Sequence, residues 1–326
     1  MPEGRKTMFK IAIVGAGIIG KTHSETIYKN SECILVAVAD IDELKAKEIA
    51  QLHGAECYTD YKKMAEEVEM DAVILNLPHF LHCEATIYFL EKGIDVLVEK
   101  PMANTVEECD RMIEAAKKSG AKLAVGHVQK YYPALRVVKE MISNETYGKL
   151  CMINDKRNSN YITPSRPKWF LKQELAGGGI CMNYGAHVFD KLLYTTGRSV
   201  EKIHSVRSNP VSNDDVDANL QMLIEFSGGV SAVVTLCGSN VPNEWETSYH
   251  FTDGTVKVVG SRLYVPEDGK FVEYDLRKDV SLLGEQLEEF IKFLKGEESE
   301  IVTPEYGREI IKYIEKIVEK ELVEIK

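Results

Sequence analysis

From Met8 to about Gly126, short apolar runs alternate with stretches of helical period. The runs "FKIAIVG", "CILVAVAD", "DAVILNL", "IDVLVEK" and "KLAVGH" are nearly unbroken in apolar residues, and amphipathic segments such as "IDELKAKEIAQLHG" lie between them. Strands covered on both faces read this way, so the pattern predicts βαβ units and a parallel sheet. Helix-end signals agree. Thr105 and Glu108 form a capping box opening "VEECDRMIEAAKKSG", with Gly120 as its C-cap. A further helix is expected after Pro133 ("ALRVVKEMI"), and Gly148 marks the passage into a different kind of sequence.

Beyond that point strands follow one another: "SVEKIHSVRSNP", "ANLQMLIEFSGG", "VSAVVTLCGSN", "WETSYHFTDG", "TVKVVGSRLYV" and "GKFVEYDL". The pairs Gly228-Gly229 and Asp253-Gly254 are hairpin turns, which predicts a mainly antiparallel sheet. Two amphipathic helices close the chain, one with Leu283, Leu287, Phe290, Ile291 and Leu294, the other with Ile310, Ile311, Ile314 and Ile317. Their stripes serve either a core or a subunit contact. The expected architecture is α/β: a Rossmann domain over residues 1–126 and an α+β domain with an open, mostly antiparallel sheet over 127–326.

Composition narrows the partners. With 326 residues, 44% hydrophobic, the chain can bury a large core. The opening "MPEGRKTMFK" lacks the apolar segment of a secretory leader, and no stretch approaches the roughly 18 apolar residues of a membrane helix, so a soluble, cytoplasmic protein is expected. A net charge of -11 disfavours nucleic acid and anionic membranes as partners. The seven cysteines (Cys33, Cys57, Cys83, Cys109, Cys151, Cys181, Cys237) are scattered and never in CxxC spacing, which argues for reduced thiols, mostly buried, and against a zinc site; no metal is expected.

The chemistry begins with "IAIVGAGIIG". Gly15, Gly17 and Gly20 stand in G-x-G-x-x-G spacing between the first strand and a helix. The first allows a tight turn, the second lets main chain approach a pyrophosphate, and the third packs helix on strand, with Ile18 and Ile19 opening the helix whose N-terminus favours an anion. The second strand ends in Asp40, a carboxylate suited to ribose hydroxyls and repelling a 2′-phosphate, so NAD is favoured over NADP. Asp42 is expected to cap the next helix. "NLPHFLHCE" brings Asn76, Pro78, His79 and His82 to the carboxyl edge of the sheet, where they can line the nicotinamide half; His82 is either such a contact or a solvated loop histidine.

"VEKPMA" places Glu99, Lys100 and Pro101 at the tip of the next strand, and "GGGICMNYGAHVFD" follows in the second half. Together with "GAGIIG", "VAVAD" and "LPHFLH", in this order, these motifs resemble the Gfo/Idh/MocA family of oxidoreductases along nearly the whole chain. The resemblance implies NAD(P)-dependent oxidation of a secondary alcohol on a sugar or cyclitol, or the reverse. It implies that Lys100 contacts cofactor and substrate, that His187 is the general base, and that the outer face of the second sheet builds homo-dimers or homo-tetramers. Without a dinucleotide site, Glu99 and Lys100 would read as a surface pair; with one, both are expected beside the cofactor. A cis Lys100-Pro101 peptide is also expected.

Asn183 stands where many members of that family have aspartate. In a regular helix Asn183 and His187 would share a face at i,i+4, with Asp190 following at i+3; Asp190 either supplies the missing carboxylate or packs against the body of its domain. Lys130, Arg157, Lys168 and Trp169 are further candidates for the substrate pocket, since basic groups bind hydroxyls or a carboxylate and tryptophan stacks on a sugar ring; Trp169 could instead cover the core. The rival readings are a non-catalytic NAD(H)-binding regulator of the same fold and a reductase of a keto sugar.

Overall fold

The structure is a computed structural model and describes residues 8–239, 241–276 and 280–323. The start of the opening segment, read above for a leader, lies outside them. The chain divides into two compact units, Met1–Gly126 with Ser281–Ile311, and His127–Val280 with Lys312–Lys326. This cuts across a single boundary after residue 126.

The first unit holds six parallel strands: β1 (Phe9–Val14), β2 (Cys33–Ala39), β3 (Glu56–Tyr58), β4 (Ala72–Leu75), β5 (Asp95–Glu99) and β6 (Leu123–Gly126). Their order is β3-β2-β1-β4-β5-β6, which reverses direction at the β1/β4 junction. Helices α1 (Ile18–Lys29), α2 (Glu43–His53), α3 (Tyr61–Glu67), α4 (His82–Glu91) and α5 (Val106–Ser119) connect them. The expected caps form: the Asp42 side chain accepts from the N–H groups of Leu44 and Lys45, and Thr105 and Glu108 make a complete capping box ending at Gly120.

Helix α9 (Leu282–Lys295) explains why Ser281–Ile311 joins this unit. Its stripe of Leu287, Phe290, Ile291 and Leu294 is buried in the same cluster as Ile11, Ile13, Ile27 and Leu35. Each such side chain contributes about 1.5–3 kcal/mol when buried. Core packing, rather than a subunit contact, therefore accounts for this face, and sequence distance from the parallel strands concealed it.

In the second unit, α6 (Pro133–Ser143), β7 (Leu150–Asn158), α7 (Gln173–Ala176), α8 (Ala186–Thr196), β8 (Val200–Ser208), β9 (Asn219–Phe226), β10 (Ser231–Cys237), β11 (Glu244–Phe251), β12 (Thr255–Val259), β13 (Arg262–Glu267) and β14 (Lys270–Glu273) appear in turn. A final helix, α10, spans Pro304–Val318. The sheet runs β14-β13-β12-β11-β7-β10-β9-β8 and is antiparallel except where β10 meets β7. Hairpins join β9 to β10 and β11 to β12 at the two expected turns. Strand β7, near the centre, was not apparent in the apolar pattern, because its residues with the parity of Ile153 include Asp155 and Arg157.

Among the described residues no helix is long and apolar enough to cross a membrane. All seven cysteines are free; Cys33, Cys83, Cys109 and Cys181 are buried, whereas Cys57 and Cys151 are exposed.

The turn after β1 tolerates no side chain at its third glycine: a Cβ on Gly20 would lie 2.0 Å from the Gly15 carbonyl oxygen. Main chain cannot retreat as a side chain can. Gly20→Ala is therefore expected to lower unfolding free energy by about 2 kcal/mol or more, read as a drop in the urea midpoint.

Candidate active site

The glycine turn is set by a close approach of two strands. Gly15 has φ +94°, and a Cβ there would lie 2.4 Å from the carbonyl oxygen of Asn76, which follows β4. Gly17 caps α1 without a side chain, and no acidic residue occupies the first turn. A Cβ on Gly17 would point into open space, and Ile18 beside it is exposed. These are the properties of an anion cradle. Both polar atoms of the Asn76 side chain are buried without a hydrogen-bond partner, and its Nδ2 lies 3.6 Å from where a Gly20 Cβ would sit. Orphaned donors and acceptors at such a turn fit a bound dinucleotide.

Asp40 is held by main chain: its Oδ2 accepts from Ala16 N–H at 2.6 Å and its Oδ1 from Asp42 N–H at 2.8 Å. A carboxylate offers about four lone-pair sites, so two remain for ribose hydroxyls.

The β4 and β5 ends are locked to each other. His82, expected beside the nicotinamide, is buried, with Nδ1 at 2.8 Å from the Pro101 carbonyl oxygen and Nε2 at 2.8 Å from that of Leu77. Both ring nitrogens are thus engaged by main-chain carbonyl groups within the unit. A neutral ring has one N–H, and the second approach favours imidazolium; burial opposes that charge and pulls the pKa below the usual histidine value. Glu99 is likewise engaged, Oε1 with His23 Nε2 at 3.1 Å and Oε2 accepting from Lys100 N–H at 3.1 Å. Pro78 and Lys100 are half-buried at this edge, and the Lys100-Pro101 peptide is cis, as expected.

In the second unit the stretch before α8 is not a regular helix. Cys181–Gly185 forms a π-helical turn that leads directly into α8 at Ala186. His187 Nδ1 lies 3.4 Å from the side-chain nitrogen of Gln129. The Gln129 Oε1 is buried without a partner, so the amide can donate to a bare Nδ1 or, turned over, accept from Nδ1–H. Asp190 accepts from Gln129 N–H at 3.1 Å and faces His127 at 3.6 Å.

Arg157 lies on β7 opposite Trp245 of β11, its guanidinium 3.7 Å from the centre of the Tyr184 ring and 5.0 Å from that of Trp245. Tyr132 meets Trp245 edge-on. Trp169 is stacked on its neighbour Phe170 at 3.7 Å, Lys168 is exposed, and Lys130 lies in a short 3-10 turn, half-buried. Gln129, Tyr184 and Trp245 were not among the sequence candidates, because nothing in the sequence pairs β7 with β11 or brings Gln129 to His187.

The turn leading into the π-helical segment hangs on Asp217, which is fully buried. Its Oδ1 accepts from Gly179 N–H at 3.1 Å and from Arg207 Nη1 at 2.9 Å, and its Oδ2 from Cys181 N–H at 2.7 Å.

A parallel sheet with a glycine turn at its switch point and a carboxylate at the end of the neighbouring strand has the form of a dinucleotide-binding unit, here in one chain with an open-sheet unit. The model of an oxidoreductase family with an NAD-binding Rossmann fold, Gfo/Idh/MocA, matches residues 9–127, and that of the Gfo/Idh/MocA C-terminal domain matches residues 135–262. The chain belongs to this family of oxidoreductases. A relative from Comamonas testosteroni, 1-carboxy-3-chloro-3,4-dihydroxycyclohexa-1,5-diene dehydrogenase, is 29% identical over 70% of this chain, which spans 58% of that relative's length. Myo-inositol 2-dehydrogenase of Thermotoga maritima is 26% identical, with 92% of each chain covered. The solved aldose-aldose oxidoreductase of Caulobacter crescentus, complexed with glycerol, shares the fold at TM-score 0.87 and 22% identity, covering 96% of this chain and 97% of that one.

Asp217→Asn weakens the partner of a buried guanidinium and is expected to cost about 3 kcal/mol, measured by denaturant unfolding. Asp40→Ser is expected to weaken NAD binding about tenfold and to narrow the preference for NAD over NADP, measured by fluorescence titration of both.

Proposed function

We propose that this protein is a cytoplasmic NAD-dependent dehydrogenase or reductase acting on a secondary alcohol or ketone of a sugar or cyclitol. The observation that supports it most is within the first unit: Lys100 leaves β5 on the same carboxyl edge where the glycine turn follows β1 and the unpartnered Asn76 amide follows β4. An ammonium beside a dinucleotide cradle suits a reacting hydroxyl. Two relatives support the substrate class, since each is named for a hydroxylated carbocycle.

In this reading Gly15, Gly17, Ile18, Ile19 and Gly20 receive the pyrophosphate, Asp40 the ribose hydroxyls, and Asn76 and Pro78 the nicotinamide half. When bound, NAD supplies the hydride acceptor, or in the reduced form the donor. Lys100 donates a charge-assisted hydrogen bond to the substrate oxygen and stabilises the developing alkoxide. His187 removes the hydroxyl proton at Nε2, while Gln129 at Nδ1 accommodates either tautomer. Lys130, Arg157, Trp169 and Asn183 hold the rest of the substrate, so the second unit is the substrate-binding part. Glu99 and His82 act through Lys100 and Pro101 as positioning residues.

We also assign homo-oligomerisation to the outer face of the eight-stranded sheet, where Met152, Val206, Leu223 and Val233 are exposed on four adjacent strands. Sedimentation should find a dimer or tetramer; a monomer at micromolar concentration removes the assignment.

A screen of sugars and inositols followed by NADH absorbance tests the activity. Lys100→Met is expected to lower kcat by about 10²–10³ with NAD affinity retained, and a variant as active as the parent excludes the lysine. His187→Ala should lower kcat by about 10²–10⁴ and flatten its pH dependence, whereas an unaltered profile counts against the base assignment.

A further inference from the structure

The second unit contains two buried or half-buried cations that share one carboxylate. Lys191 on α8 is 2% exposed; its ammonium meets Asp155 Oδ1 and donates to Thr247 Oγ1 at 2.8 Å. Thr247 in turn donates to the same Asp155 oxygen at 2.6 Å. Arg157 is the next residue of like parity on β7. Asp155 acts on it through space, but among the described residues no carboxylate forms an ion pair with the Arg157 guanidinium. Burial pulls the Arg157 pKa down.

The aromatic neighbours compensate only in part. A guanidinium over an aromatic face gains only part of what a counter-charge would supply, and the faces of Tyr184 and Trp245 do not occupy its edge. That edge is a planar fork of N–H donors. It matches a carboxylate held by two parallel hydrogen bonds in the guanidinium plane. Resting on the reading of this unit as substrate-binding, we propose that the substrate is an acid, a polyol or sugar bearing a carboxylate, and that Arg157 binds this carboxylate and sets specificity for it.

The experiment uses the NAD-loaded full chain and matched pairs: D-glucuronate against D-glucose, and D-galacturonate against D-galactose, with D-glucose 6-phosphate as a differently shaped anion. Calorimetry should show at least one uronate binding roughly 10- to 100-fold tighter than its aldose and tighter than the phosphate ester. Arg157→Gln should erase that preference by weakening uronate binding more than aldose binding, and Arg157→Lys should restore part of it. No preference in either pair, a stronger preference for the phosphate ester, or an equal loss of acid and neutral ligands in Arg157→Gln would overturn the assignment. Uronate binding that depends on Arg157 without NADH formation supports the carboxylate site while overturning the proposed dehydrogenase activity.

Discussion

The first unit depends on the close approach of the β1 turn to the main chain after β4. With Gly15 at φ +94° and a hypothetical Cβ 2.4 Å from the Asn76 carbonyl oxygen, the two neighbouring strands can end side by side only if that residue lacks a side chain. Strand order reverses at this junction, so the connections leave in opposite directions and a crevice opens at the carboxyl edge. The other features gather around that opening. The Asp40 carboxylate closes the turn by accepting from Ala16 N–H, the Asn76 amide is left unpartnered, and the tip of β5 is fixed by His82 and His23. Tight main-chain packing thus supports the most exposed chemistry of the unit.

The second unit is organised by buried charge. Asp217 with Arg207, and Asp155 with Lys191, are ion pairs with almost no solvent contact. Such pairs lose much of their Coulomb attraction to desolvation, yet removing one partner leaves a buried charge stranded. Their value here is positional. The first fixes the turn that leads into the π-helical segment before His187, and the second fixes α8 on the sheet over β7 and β11. Arg157, which among the described residues forms no ion pair with a carboxylate, lies next along β7.

Several features were legible because they arise from local physics. The capping box at Thr105, the Asp42 cap, the two hairpin turns and the apolar strands all follow from interactions within a few residues or from burial on both faces. Strand β7 is hidden in the sequence because charges occupy its Ile153-parity face, and Gln129, far away in sequence, lies at His187 Nδ1, a contact that no local period signals. A π-helical turn carries no apolar period that would reveal it.

Residue order and residue type were enough to establish a Rossmann unit followed by an open sheet, the glycine cradle with Asp40, and the family to which Lys100 and His187 belong, because each of these is encoded in contiguous stretches whose period or spacing reflects one strand, turn or helix. Pairing between distant segments came only from folding. That α9 completes the first core, that His82 binds two carbonyls, and that Arg157 lies between aromatic rings all depend on which surfaces meet once apolar area is buried, and this is a property of the whole chain's packing that no single window contains.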